Sequence, residues 1–267
     1  GSDNGVNNGS KTYVSWNWKA NGAGSTNTDG SINSTVSANT TSGFSIVSWT
    51  GSGADATVGH GLNSAPTLII VKNRTDASTD WRIGQVLTSS NNMTNGNGYY
   101  MELNDTKAST NPGSANQWGS TPTAPTNQVF TVGSNNSNNG SSDNMIAYCF
   151  HSVEGYSKFG TYAGNGNADG PFVYTGFKPA FIIIKNFEQN DSWRTYDNKR
   201  LGYNVDNNAL FPNATDAEGT SDDLDILSNG FKVRATTGGL NNSNASYIFM
   251  AFGQSIVGSN NIPATAR

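Results

Sequence analysis

An all-β fold of tandem antiparallel β-sandwich units, jelly-roll or lectin-like, is predicted by three observations. Only 13% of the 267 residues are charged, and Asn alone is about one residue in seven. The polar surface is therefore Asn, Ser, Thr and Gly, which favour turns, and frequent turns imply many short strands. No window sustains apolar residues at i, i+3, i+4 and i+7, the spacing an amphipathic helix needs. The third observation is an ordered set of internal matches, the signature of a repeat architecture.

The matches run in order. Pro66 followed by Leu68–Val71 and Lys72-Asn73 is answered by Pro179 followed by Ile182–Ile184 and Lys185-Asn186. Trp81-Arg82 recurs as Trp193-Arg194, 112 residues on. Trp49-Thr50-Gly51-Ser52-Gly53 is matched by Tyr162-Ala163-Gly164-Asn165-Gly166, and Phe130-Thr131-Val132 by Phe231-Lys232-Val233. Both halves close on an aromatic-rich strand, Met145–Phe150 and Tyr247–Phe252. Sandwich units are therefore expected over 41–153 and 154–258, followed by a tail over 259–267.

In the first unit, strands are expected near Phe44–Trp49, Thr67–Asn73, Trp81–Gly84, Tyr99–Leu103, Val129–Val132 and Met145–Phe150. Pro66 and Pro179 stand at strand entries, where a missing N–H is tolerated. The Asn-rich stretches Asn135–Asn139 and Asn241–Asn244 read as hairpin tips. Strands and turns at this spacing point to two antiparallel sheets packed face to face.

The amino end adds a partial third match, because Gly1–Trp18 aligns without a gap on Gly133–Phe150. Residues 1–18 are thus expected to be the closing strand of a preceding unit, pairing onto a neighbour. On that reading the sequence is a piece of a longer array. An opening Gly-Ser left by cloning is the alternative, and the length of the match argues against it as the whole explanation. Residues 19–40 are low in apolar content and read as an extended linker.

Several function classes lose support. Net charge is −4, and Lys199-Arg200 is the one adjacent basic pair, so no basic stripe for nucleic acid is present. The longest aliphatic runs are far too short to span a bilayer as a helix. The single cysteine, Cys149, excludes an internal disulfide framework and sits in an apolar strand as a small hydrophobe. His60 and His151 have no motif around them that marks catalysis. No Cys/His set suits zinc, no cofactor is implied, and no glycosidase-type carboxylate pair is evident. Asp222, Asp223 and Asp225 form an acidic loop, solvated or at most a weak Ca²⁺ candidate, without the spacing of a calcium loop.

Aromatic residues are the better lead. Trp81, Arg82, Trp193 and Arg194 recur, which points to a structural job: a ring on the core and a cation near it. Trp118 has no counterpart in the second half and lies in a Gly/Ser/Pro/Thr stretch, 112–125. An exposed loop aromatic stacks on the axial C–H face of a sugar. Trp118, flanked by Tyr99 and Tyr100, is therefore the candidate for a glycan site, set beside the reading of a ring that covers the neighbouring unit or another subunit.

Several strings are more specific in combination. Tyr13–Gly22, Val58-Gly59-His60-Gly61-Leu62, Ala65-Pro66, Ala147–Phe150, Gly155–Tyr162, Ala168–Val173 and Ile262–Arg267 together resemble a repeat domain found in large virion proteins of marine tailed phages. The resemblance covers nearly the whole chain. It implies a tail fibre or other appendage on the particle surface, homo-oligomeric or bound to other virion proteins, that touches host glycans. It supplies no catalytic residues. A purely structural fibre or decoration module, a secreted bacterial carbohydrate-binding module and a polysaccharide depolymerase are the alternatives.

Overall fold

A computed structural model describes residues 5–84, 98–111, 116–121, 123–200, 204–206, 208–221 and 224–253. The fold is all-β, as expected. In chain order the strands are β1 Ser25–Asn27, β2 Ser34–Asn39, β3 Phe44–Thr50, β4 Ala56–Gly59, β5 Leu68–Asn73, β6 Arg82–Gly84, β7 Met101–Glu102, β8 Val129–Val132, β9 Asn144–Phe150, β10 Ser157–Ala163, β11 Phe172–Tyr174, β12 Pro179–Asn186, β13 Arg194–Asp197, β14 Leu224–Leu227, β15 Gly230–Val233 and β16 Ser246–Gly253. Two single-turn helices, α1 Asn136–Asn139 and α2 Gly238–Asn241, precede β9 and β16.

The first sandwich packs a sheet ordered β1-β2-β3-β9-β5-β6-β7 against the pair β4-β8. The second packs β10-β16-β12-β13 against β11-β15-β14. All ladders are antiparallel. The central order β3-β9-β5-β6 has the same sequence of pairings as β10-β16-β12-β13.

Period-two alternation sends each large sheet's side chains to two different cores. Val47, Trp49, Ile69, Val71, Ala147 and Cys149 face the β4-β8 pair. Ile182, Ile184, Tyr247, Phe249 and Ala251 face β11-β15-β14. The opposite faces meet each other in a seam between the sandwiches, where Phe44, Leu68 and Phe150 pack on Phe159, Phe181, Met250 and Phe252. Both large sheets are thus buried on both faces, which is why β5 and β12 read as unbroken apolar runs. Backbone bonds from Ser109 N to Phe187 O (2.7 Å) and from Asp191 N to Thr106 O (2.8 Å) tie the two halves at one end of the seam.

The Lys-Asn ending shared by β5 and β12 has a physical explanation. Asn73 Nδ2 donates to Asn136 O in α1 (2.8 Å) and Asn186 Nδ2 to Gly238 O in α2 (3.0 Å), while each Oδ1 accepts two backbone N–H groups of the following turn. Inside the helical turns, fully buried Asn139 bonds Ser52 and Ala54, and fully buried Asn241 bonds Asn165 and Asn167. These buried amides thus tie the helical turns to neighbouring loop backbone, so that the buried polar side chains are themselves satisfied.

Within this chain residues 11–20 enter no ladder; Trp16 and Trp18 pack against the seam. Three expectations need correction. The expected linker 19–40 contains β1 and β2, which extend the first sheet beyond β3, because Val36 and Ala38 alternate with Thr35, Ser37 and Asn39 and supply one apolar face. The Asn-rich hairpin tips are α1 and the end of α2. For α1, Asn135 Oδ1 caps the turn by accepting from Ser137 N, and this side-chain bond competes with hairpin formation. The strand expected over Tyr99–Leu103 shortens to Met101–Glu102. The tail 259–267 lies outside the described residues.

Candidate functional site

The predicted glycan site does not assemble. Trp118 is only 1% exposed and belongs to the core between the large first sheet and β4-β8. Its ring lies against Gly84, where a side chain of any size would collide with it. Thr131 Oγ1 holds the Trp118 carbonyl at 2.9 Å. Tyr99 packs into the seam instead, and Tyr100 lies under the Arg82 guanidinium, 4.3 Å from its carbon. The flanking Gly, Ser, Pro and Thr made the Trp118 stretch look solvated, yet the ring turns inward.

The two Trp-Arg pairs differ in their surroundings. Trp193 is fully buried and its Nε1 donates across the seam to Glu102 O at 2.9 Å. Trp81 is half-buried and stacks on Tyr148, with centroids 6.1 Å apart. Arg82 ion-pairs with buried Glu102 and lies 3.6 Å from Asp80. Arg194 pairs with Asp191 at 2.9 Å and sits over the Phe211 ring. Pro66 precedes β5 and Pro179 opens β12 beside a register shift, both buried.

Several titratable groups outside these pairs are held in the scaffold. His60 is fully buried; its Nδ1 accepts from Leu62 N (3.1 Å), which leaves Nε2–H to donate to Thr126 O (3.1 Å). Burial holds its pKa below the ordinary value, so the ring stays neutral. Thr175 makes the equivalent turn in the second half, its Oγ1 accepting from Phe177 N at 3.4 Å. Asp225 is paired with Arg234 at 2.6 Å; Asp222 and Asp223 lie outside the described residues. Among the described residues no His/Cys/Asp/Glu group suits a metal ion.

Asp197 and Asp206 have divergent acidities. Burial works to raise Asp197, but hydrogen bonds from Arg200 Nε and from the Lys199 and Arg200 N–H groups outweigh it and hold the carboxyl low. Burial pushes Asp206 up to about 6, and its Oδ1 has no partner. Both are nearly inaccessible, 2% and 3% exposed, and so closed to a polymeric substrate. Below the ordinary value of 3.8 Asp206 is protonated in folded and unfolded chains alike. As pH rises from that value through 6 the unfolded chain ionises first, so the native state loses stability progressively. The Asp206→Asn variant is expected to lack this loss. Urea unfolding should show it gaining about 2–3 kcal/mol on the parent between pH 3.5 and pH 8; a constant difference would contradict the assignment.

The surface that does offer a site is β11. Val173 points into the second core, so its neighbours Phe172 and Tyr174 point outward, 47% and 58% exposed. Alternate residues of one strand stand about 6.5–7 Å apart. Lys158 Nζ, from β10, donates to Tyr174 O at 3.0 Å and lies 5.2 Å from its ring centroid. Opposite Phe172 stands Lys232, paired with Asp169 at 2.7 Å. In the first sandwich the corresponding strand, β4, is covered by the chain itself. Ser31 and Thr57 exchange N–H to hydroxyl bonds at 2.9 Å, and Ile32 N donates to Thr57 O at 3.1 Å. The signal in the sequence was the Phe-Val-Tyr alternation, obscured because every strand here carries aromatics.

A second concavity opens on the seam. It has a volume of about 380 Å³ and is walled by Trp16, Trp18, Trp81, Tyr148, Ile70 and Ile183, among others.

No curated protein and no solved structure matches the chain. A family model described as a domain of unknown function matches residues 1–255, spanning the leading segment and both sandwiches in one match. The segment that carries Trp16 and Trp18, the seam it enters and the two sheet pairs on either side of it are thus features of one family domain, and this chain belongs to that family, DUF7483.

Proposed function

We propose that this chain is a binding and structural module of a tailed-phage virion appendage, built from two copies of one sandwich unit, and that it presents a host-glycan surface on β11. The observation that carries the binding reading is the exposed Phe172–Tyr174 pair, flanked by Lys158 and by the Lys232–Asp169 ion pair. Two rings on alternate strand positions offer flat apolar faces to the C–H groups of successive sugars. The ammonium and carboxylate groups beside them donate to and accept from hydroxyls. The virion setting rests on the sequence resemblance. The matched strand orders of the two halves support the repeat reading. The module acts by binding and carries no reaction.

A glycan array probed with the whole chain tests this. The Phe172→Ala/Tyr174→Ala double variant is expected to lose at least about tenfold in affinity, about 1.4 kcal/mol, with an unchanged circular dichroism spectrum. Undiminished binding by the variant would remove the site. No saturable binding by the parent would favour a module whose contacts are all with other virion subunits, a reading that the apolar concavity on the seam supports.

A further inference from the structure

The leading segment and the two closing strands converge on one point. Aligning Gly1–Trp18 on Gly133–Phe150 sets Trp16 against Tyr148 and Trp18 against Phe150; in the second half Met250 and Phe252 hold the same places at the end of β16. The ring centroids of Trp18, Phe150 and Phe252 form a triangle with sides of 6.5, 5.2 and 5.9 Å. Three segments that match in sequence thus send matching side chains into one aromatic cluster. They differ in what flanks them. β9 lies between β3 and β5, and β16 lies between β10 and β12. Among the described residues no ladder includes Val14–Trp18. Beside Trp16 and Trp18 the seam stays open as the 380 Å³ concavity, whose walls include Ile70 from β5 and its counterpart Ile183 from β12.

We propose that residues 14–18 are a docking strand for a third antiparallel sheet of this same architecture, contributed by a further unit of the family. The inference rests on the reading of the chain as copies of one unit. One strand of the incoming sheet would play the part of β3 and another that of β5, pairing with the two edges of Val14–Trp18. Their inward residues, the counterparts of Ile46 and Ile70, would fill the concavity and extend the seam already present from two sheets to three. An extended apolar segment with no strand on either edge is a ready template for such pairing. The concavity is lined almost wholly by aromatic and aliphatic side chains, which suits the apolar face of a sheet and offers little to a polar ligand.

The test adds a copy of residues 19–132 ahead of Gly1 of the whole chain, so that residues 1–18 follow it as residues 133–150 follow the original. Hydrogen exchange of the Val14–Trp18 amides is then compared with the parent. Strand formation is expected to slow it by about 100-fold or more and to shift tryptophan emission to the blue. Exchange as fast as in the parent, in a folded extended chain, would overturn the proposal whatever the glycan array shows. If the extended chain does not fold, a solubilised peptide copying Ala65–Thr75 decides the matter. Saturable binding to the parent, lost when alternate peptide amides are N-methylated, supports the docking strand. No binding up to about 1 mM, or saturation by a fatty acid and not by the peptide, overturns it.

Discussion

Replacing Trp118 with alanine is expected to lower the stability of the protein by about 3–5 kcal/mol, the range for deleting a fully buried large aromatic. The ring is 1% exposed and packs in the core with Phe130 and Val132 from β8. Gly84 beneath it has no side chain that could move into the vacated space. One term works the other way: Trp118 Nε1 is buried without a partner, and its removal relieves about 1–3 kcal/mol of desolvation, which places the expectation at the lower end. Urea unfolding followed by circular dichroism measures the change. A loss under about 1 kcal/mol would mean that the ring is not buried as described. Glycan affinity per folded molecule should not change, which separates this residue from Phe172 and Tyr174.

The second large effect is expected at Glu102. Its side chain is 4% exposed and receives Arg82, itself 11% exposed, together with Lys107 at 3.1 Å. The Glu102→Ala change leaves the Arg82 guanidinium buried, with Asp80 at 3.6 Å as its remaining carboxylate. Breaking one side of a buried pair costs about 3–5 kcal/mol, whereas replacing both sides with apolar groups of like volume is close to neutral. The Arg82→Met/Glu102→Leu double variant should therefore recover most of what Glu102→Ala loses. Equal losses in single and double variants would contradict the unpaired Arg82 guanidinium as the source of the loss. The Glu102 carbonyl that accepts from Trp193 is backbone and survives all of these changes.

The fold class was legible because turn chemistry and strand patterning are local properties. Phe231-Lys232-Val233 alternates as a half-buried strand should, and Phe231 and Val233 are fully buried while Lys232 is not. The recurrence of Trp-Arg and Lys-Asn was legible too, although its cause was not. The asparagines clamp helical turns that the sequence presented as hairpin tips. The face of a given ring was not legible, because it depends on long-range register. Trp118 is buried against a glycine more than thirty residues earlier in the chain, and Tyr99 packs against the seam cluster, which draws on both sandwiches. The exposure at Phe172 and Tyr174 goes with a difference between the halves: among the described residues nothing covers β11 as Ser31 and Ile32 cover β4. Such a difference becomes visible only when the two strands are placed side by side in space.

The seam also determines what light can report about this molecule. The chain has six tryptophans. Trp16, Trp18, Trp81 and Trp193 lie in or line the seam, and Trp49 and Trp118 lie in the first core. The core between β10-β16-β12-β13 and β11-β15-β14 holds only phenylalanine and tyrosine as aromatic residues. Intrinsic fluorescence excited at the indole band therefore reads the union of the two halves and the interior of one, and it is blind to loosening confined to the other.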